Sequence, residues 1–466
     1  MYMKKILLIG AFISSIFTSC SDFLEKNPST SLPVEEAITS LDDFGNAVNG
    51  IYYLMSEDRM TYSADFAIYA DLRGSDFKAL SNNNQAGPLS RYTITQKDDI
   101  PDWAYYYFYK AIANVNKALA AADVLVVAEE DEATFNDYKG QLYAWRALLH
   151  FDLARMFCQI PTISDDINAG NTGLVLSLEV YEPGYVAPRT TLKETYDQIL
   201  KDFDTAIPLL TKEANNGHIN YWAALALRAR ANLYYGNNEA ALKDANEVIA
   251  CKEYSLYTID NYLKSWGLTY TTESLFEMTI TTNYNAQRNA VGYYCSSDGY
   301  GECAFEESSD LYKYLIANPK DIRSGLIDNQ EEGANPGVYP AKYPGRDNNI
   351  YVNNPKIIRL SEVYLIAAEA ALKTNGDAVS YVNTLRKNRI SDYVEVKSVT
   401  LDDILFERRI ELMAENSMSF DYWRNKKSVV NPYVGEIKYN DYRTILPIPQ
   451  AEIDLAPSIL IQNPQY

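Results

Sequence analysis

Tyrosine dominates the aromatic residues of this 466-residue chain, with 39 Tyr against 15 Phe and 5 Trp. A tyrosine ring offers a flat apolar face with a hydroxyl at its edge, which suits it to wet recognition surfaces. Compositional bias of an exported protein is the plainer explanation. The rings sit among polar side chains in two irregular stretches. The first, roughly 58–102 and its border, offers Arg73, Asp76, Asn84, Tyr92 and Trp103. The second, roughly 254–354, offers Trp266, Tyr270, Tyr284, Tyr293, Tyr294 and Tyr300. A sugar presents apolar C–H faces and a rim of hydroxyls, so flat rings beside Asp, Asn and Arg match it. The expected ligand-binding set is Arg73, Asp76, Tyr92, Trp103, Trp266, Tyr270, Tyr284, Tyr293 and Tyr300. For each aromatic the competing expectation is burial under its own loop. For Arg73 it is an ion pair with Asp71 or Asp76.

Catalytic chemistry has little support. The chain has no Walker loop, no G-x-S-x-G elbow and no H-E-x-x-H. His150 and His218 are its two histidines, which nearly removes His-based zinc sites and triads. Gly299-x-Gly301-x-x-Ala304 matches a dinucleotide fingerprint by letters but lacks the strand and helix that give it meaning. Asp165-Asp166-x-Asn168 starts like a calcium loop and stops there. No catalytic residue, metal or cofactor is expected. Carboxylates are abundant, so a surface glycosidase stays open, because its carboxyl separation is not written in sequence. A formal net charge of −20 argues against nucleic acid and against a polybasic membrane patch.

The first residues carry an address. Met1 to Lys5 is basic, Ile6 to Phe17 is apolar, and Thr18-Ser19-Cys20 follows. This is an export signal, too short for the roughly 20 apolar residues of a membrane span. Cys20 after Thr-Ser looks like a bacterial lipobox, with Phe17 an imperfect match; the alternative is an ordinary signal with a chance cysteine. The expected organisation is a signal peptide over 1–19, a lipidated tether over 20–32 and one unit over 33–466. Of the remaining cysteines, Cys295 and Cys303 are placed to staple a Gly-rich loop. Cys158 and Cys251 read as thiols in helical patterns.

Helical periodicity supplies the scaffold. Leu142, Trp145, Leu149, Leu153 and Met156 form one stripe, stopped near Pro161. Ala224, Leu227, Ala231 and Tyr234 form another, followed by Gly236-Asn237 and a second helix over 238–250. Leu360, Tyr364, Ala367 and Ala371 form a third, with Asn375-Gly376 as the turn into 377–389. These pairs follow the logic of tetratricopeptide-like hairpins without a regular period. Helical hairpins are expected over about 33–57, 103–252 and 355–420, an irregular ligand lobe over 58–102 and 254–354, and a C-terminal segment over 421–466. Long inserts in a compact fold are usually functional.

Several segments together resemble the SusD/RagB family of outer-membrane nutrient-binding lipoproteins. Cys20-Ser-Asp-Phe-Leu24 resembles the family's mature start. Gln141 to Leu153 with Ile160-Pro-Thr-Ile163, and Pro188-Arg-Thr-Thr191, resemble its central helices. Arg359-Leu-Ser-Glu-Val-Tyr-Leu-Ile-Ala-Ala-Glu369 and Glu407-Arg-Arg-Ile-Glu-Leu412 are close to its later motifs. Leu446-Pro-Ile-Pro449 and Gln462-Asn-Pro-Gln-Tyr466 resemble its close. One departure lies at Glu415-Asn-Ser-Met-Ser-Phe-Asp421, where the family's Gly and Arg are Asn416 and Met418. Asn tolerates left-handed angles; the missing Arg removes an expected ion pair.

The resemblance implies a mostly α fold, with tetratricopeptide-like hairpins against an irregular lobe with short β-strands. It implies a lipid-anchored protein on the outer face of the outer membrane that captures oligosaccharides without chemistry. It would deliver them to a SusC-like TonB-dependent transporter. A RagB-like peptide binder of the same architecture is the alternative, and a scaffold binding partner helices is a third. Val180-Tyr-Glu-Pro-Gly-Tyr-Val-Ala-Pro-Arg189 is similar to RagB-type members. That stretch is expected near the scaffold rather than at a ligand.

Overall fold

The computed structural model describes residues 38–214 and 216–466. The expected signal peptide, Cys20 and tether lie outside the described residues. Among these, nine helices reach ten residues or more: α1 (Leu41–Leu54), α2 (Asp99–Ala122), α3 (Glu132–Phe157), α4 (Leu192–Ala206), α5 (Tyr221–Tyr235), α6 (Asn238–Ile249), α7 (Leu360–Lys373), α8 (Ala378–Lys387) and α9 (Leu401–Glu411). The protein is mostly helical, as the periodicity predicts. Each helix packs on its neighbour in sequence from α1 to α6; α7 then packs on α6, α8 and α9.

Local chemistry fixes the helix ends. Ser40, Thr191 and Thr400 each begin a helix with a capping box, pairing with Asp43, Glu194 and Asp403. Each box satisfies two backbone donors that the first turn leaves free. Gly236, at φ +93°, ends α5 in the left-handed region and lets α6 start two residues later. Asn375 takes a similar angle, φ +57°, and Asp377 caps α8 through Ser380 N at 3.1 Å.

Short strands, most of them from the irregular stretches, form four antiparallel pairs. β1 (Phe77–Lys78) pairs with β3 (Ala304–Phe305), and β2 (Ser274–Glu277) with β6 (Lys356–Arg359). β4 (Ile327–Gln330) pairs with β5 (Gly337–Pro340), and β7 (Val429–Asn431) with β8 (Gly435–Ile437). Two-stranded ribbons are marginal alone, so something else must hold these segments. One continuous apolar cluster runs from Phe44 and Trp145 through Phe276 and Tyr294 to Trp423 and Leu446, shared by helices and loops alike.

A buried ion-pair network adds to that core. Arg359, at the end of β6, donates to Glu273, to Glu411 at 3.0 Å, and to Glu415 at 2.7 and 2.8 Å. Arg389 binds the same Glu273 at 2.9 Å and Glu411 at 2.9 and 3.0 Å. Arg323 joins Asp321 at 2.7 Å, Glu407 at 2.6 Å and Glu411 at 3.2 Å. Lys342 donates to Glu415, and Arg386 to Glu407 at 2.6 Å. Five cations face five carboxylates, so the cluster is neutral. The three arginines beside it hold the Glu411 carboxyl well below the usual carboxylate range, against the opposing effect of burial. A second set links Arg424 to Glu369 and Asp421, Arg408 to Asp421, and Arg230 to Glu362.

Around the sequence departure, Asn416 has φ +62° and clasps the lobe. Its N–H donates to Asp71 Oδ2 at 2.6 Å, and its Oδ1 accepts from Ala70 N at 2.9 Å. Asp421 keeps Arg408 and Arg424 as partners without the missing Arg. Cys295 and Cys303, the pair placed to staple the Gly-rich loop, are free, buried thiols. Cys158 is buried and Cys251 half-buried.

Two predictions follow from buried charge. Glu411→Ala leaves five cations facing four carboxylates and is expected to cost about 3–5 kcal/mol in urea unfolding, the range for breaking a buried pair. The second concerns Asp71, whose carboxyl burial pushes up to about 8 from 3.8. The folded chain keeps a proton that the unfolded chain releases near pH 4. This contribution is therefore full below that pH and is lost as pH rises towards 8, at about 1.4 kcal/mol per pH unit. Urea midpoints of Asp71→Asn between pH 5 and 8 should fall less steeply than those of the wild type.

Candidate aromatic binding surface

The surface is built at the C-terminal end of α1 and the N-terminal half of α2. In α2, Ala104, Phe108, Ala111, Ile112 and Val115 are buried. The opposite face carries Trp103, Tyr106, Tyr107 and Lys110, at steps of three and four that align them along the helix. The Arg59 guanidinium lies 4.5 Å from the Trp103 ring centroid. It is held by Asp65 at 2.9 Å and by Gln85 at 2.6 and 2.8 Å. Gln85 and Gly87 in turn donate backbone N–H groups to the buried Glu302 at 3.0 and 3.1 Å. Tyr107 donates to Asp58, which also accepts from Asn289 Nδ2 at 3.0 Å. Burial and this carboxylate raise the Tyr107 phenol above its ordinary pKa.

Beside this lie three half-buried tyrosines. Tyr293 stands edge-on to Tyr300 at 4.9 Å and to Tyr351 at 5.5 Å, and Tyr300 rests on the buried Tyr294 at 5.2 Å. The backbone bond from Tyr300 N to Tyr293 O, 2.8 Å, brings the two rings together. Nearby, with Ser56 at its edge, an open groove of about 580 Å³ is lined by Tyr53, Tyr270, Tyr284 and His218. Tyr53 meets Tyr284 edge-on at 5.5 Å and donates to Glu57 at 2.6 Å. Tyr270 shares a hydrogen bond with Thr279 at 2.8 Å, and His218 Nε2 with Asn49 at 2.9 Å. Burial lowers the His218 pKa, favouring the neutral ring. The whole is a band of ring faces interrupted by carboxylate, amide and hydroxyl groups.

Five of the nine expected residues, Trp103, Tyr270, Tyr284, Tyr293 and Tyr300, lie on this band. The other four require correction, because they are buried. Arg73 is enclosed by Tyr69, Tyr92 and Trp423 and donates to the Arg443 carbonyl. Asp76 pairs with Arg409, with Nε at 2.6 Å. Tyr92, in the left-handed region at φ +53°, donates to the Arg73 carbonyl at 2.5 Å. Trp266 lies under Lys342 and Arg359, 4.5 and 5.1 Å from its ring. Asn84 is exposed and accepts from Arg91 at 2.6 Å. Sequence reasoning missed Tyr53, Tyr107 and Tyr351. The α2 spacing of Trp103, Tyr106, Tyr107 and Lys110 was the available signal for Tyr107. Among the described residues, no three His, Cys, Asp or Glu side chains are grouped to hold a metal ion, and no helix is long and apolar enough to cross a membrane.

Two family profiles cover nearly the whole chain. Residues 22–233 match a profile described as starch-binding, associating with outer membrane, and residues 232–466 match the SusD family. The chain is 25% identical to the SusD-like protein P2 of Formosa agariphila across the full length of both. A SusD superfamily protein of Bacteroides thetaiotaomicron is 31% identical, with a TM-score of 0.84 over 92% of this chain and all of the other. A laminarin-binding SusD-like protein, 20% identical, shares the fold with a TM-score of 0.75 over 92% of this chain and all of that one.

Burial separates the two groups of aromatics. Trp266→Ala should cost about 3–5 kcal/mol in urea unfolding, the usual loss for an emptied aromatic site. Tyr284→Ala, at a position 58% exposed, should stay within about 0.5 kcal/mol of the wild type.

Proposed function

Because the chain belongs to the SusD family, associated with the outer membrane, we propose that it captures oligosaccharides at the cell surface and does no chemistry on them. The observation that carries this reading is the band of partly exposed rings: Trp103, Tyr107 and Tyr300 pack on the core, while Tyr53 and Tyr284 stand exposed. Trp103, Tyr293, Tyr300 and Tyr351 offer faces for sugar rings in one group, and Tyr53, Tyr270 and Tyr284 in a second that lines the groove. Asp58, Asn289, Glu57 and Asn49 supply polar groups between them to orient hydroxyls. Their hydrogen bonds to neighbouring side chains preset them, so little ordering cost remains for binding. The chain is anchored through lipid on Cys20, faces the exterior and hands its ligand to a SusC-like transporter. The expected division into a signal over 1–19, a tether over 20–32 and one binding unit over 33–466 is part of this reading.

Calorimetric titration of the full-length chain in detergent tests it, with laminarin, starch, mannan and xylan oligosaccharides and a peptide digest. Saturable heat with one sugar class is expected, weakened at least about tenfold, 1.4 kcal/mol, by Trp103→Ala or Tyr293→Ala. Heat with peptides alone would make the chain a peptide binder. Release of reducing sugar would make it an enzyme.

A further inference from the structure

A second tyrosine-lined cavity lies on the other flank of α2, about 620 Å³ in volume. Tyr105, Tyr106 and Tyr109 of α2 form its floor, Tyr181 and Tyr185 one wall, and Leu455 and Leu460 of the C-terminal segment the rim. The wall is the stretch that sequence placed near the scaffold. It lies against α2, with Tyr185 exposed and Tyr181 half-buried.

The local geometry is preset. Glu182-Pro183-Gly184-Tyr185 is a turn closed by Tyr185 N to Glu182 O at 3.1 Å, with Gly184 at φ +87°. Proline second and glycine third, with that angle, define a type II turn. The turn lays the Tyr181 and Tyr185 rings parallel, 4.1 Å apart with 2° between their planes. Preceding residues are tied to the scaffold: Tyr109 donates to Val175 O at 2.8 Å, and Arg146 to Leu178 O at 2.9 Å. Tyr185 nevertheless remains 55% exposed. This is a rigid aromatic platform with hydroxyl edges beside the charged tips of Lys110 and Glu182, above a cavity large enough for a small ligand.

We propose that this cavity is a second carbohydrate site, which takes a separate stretch of the same glycan. The inference rests on the proposed function. Its specific support is continuity: Tyr106 lines the cavity, and its ring meets Tyr107 of the first surface at 5.2 Å. One helix therefore presents rings to both sites. A long glycan that engages both dissociates only when both let go, which raises retention without tightening either site.

The test is calorimetry on the full-length chain with laminarihexaose, maltohexaose and mannohexaose, comparing wild type, Tyr185→Ala and Trp103→Ala. The binding hexasaccharide should show two sites per chain, falling to one in Tyr185→Ala and to one in Trp103→Ala. The parent polysaccharide should bind Tyr185→Ala at least about fivefold more weakly. A single site that Trp103→Ala abolishes and Tyr185→Ala leaves untouched overturns this inference and keeps the proposed function. A site lost in Tyr185→Ala but indifferent to Trp103→Ala supports the cavity and faults the first surface. Silence from all three sugars, and from the xylan oligosaccharides of the first test, overturns both.

Discussion

The irregular lobe depends on charge held out of water. Its strands come in isolated pairs, so backbone ladders contribute little of what keeps it in place. Its fixed points are side chains: Glu273, Arg323 and Lys342 from the lobe, and Arg359, Arg389, Glu407, Glu411 and Glu415 from the helical part. The desolvation of such ions roughly offsets their attraction, so the network need add little net stability. What it adds is selectivity for one arrangement. A lobe docked in another register would leave several unpaired charges inside, each costing several kcal/mol. Hydrophobic contact alone does not discriminate so sharply between packings.

The same constraint explains how loops present a preset surface. Tyr293 adjoins Tyr294, which belongs to the common core, and Tyr300 rests on Tyr294 two residues before Glu302, which gathers the 85–87 backbone. Trp103 is steadied by Arg59, itself fixed by Asp65 and Gln85. Trp103 and Tyr300 are thus each one contact away from a buried anchor, Arg59 for the first and Tyr294 for the second.

That arrangement also sets what was legible in the sequence. The helices were, because a stripe such as Leu142 to Met156 has one reading at helical spacing. The strongest motifs, Arg359 to Glu369 and Glu407 to Leu412, were legible as a family pattern; the structure shows that they encode the ion network rather than a ligand site. Arg73 and Asp76 misled because a polar residue in a loop-rich stretch looks the same whether it faces solvent or a buried partner. Their partners, the Arg443 carbonyl and Arg409, are more than 300 residues away in sequence. Trp266 misled for the same reason, since the cations above it come from Lys342 and Arg359. Tyr53 was hidden by sitting in a helix whose other aromatic residues are core, and Tyr351 by standing apart from the Tyr293–Tyr300 turn.

The choice of tyrosine over tryptophan or phenylalanine fits this division. A ring left partly exposed loses the benefit of full burial, and a phenyl group would lose it with no return. A phenol recovers hydrogen bonds at its edge, as Tyr53 does with Glu57, Tyr107 with Asp58 and Tyr270 with Thr279. These bonds fix the ring's orientation before a ligand arrives, which lowers the entropy lost on binding. Each face alone contributes modestly, so under the proposed function affinity is set by how many rings a glycan spans. A ligand held by many weak contacts can leave one ring at a time, which fits the proposed role of handing it onward.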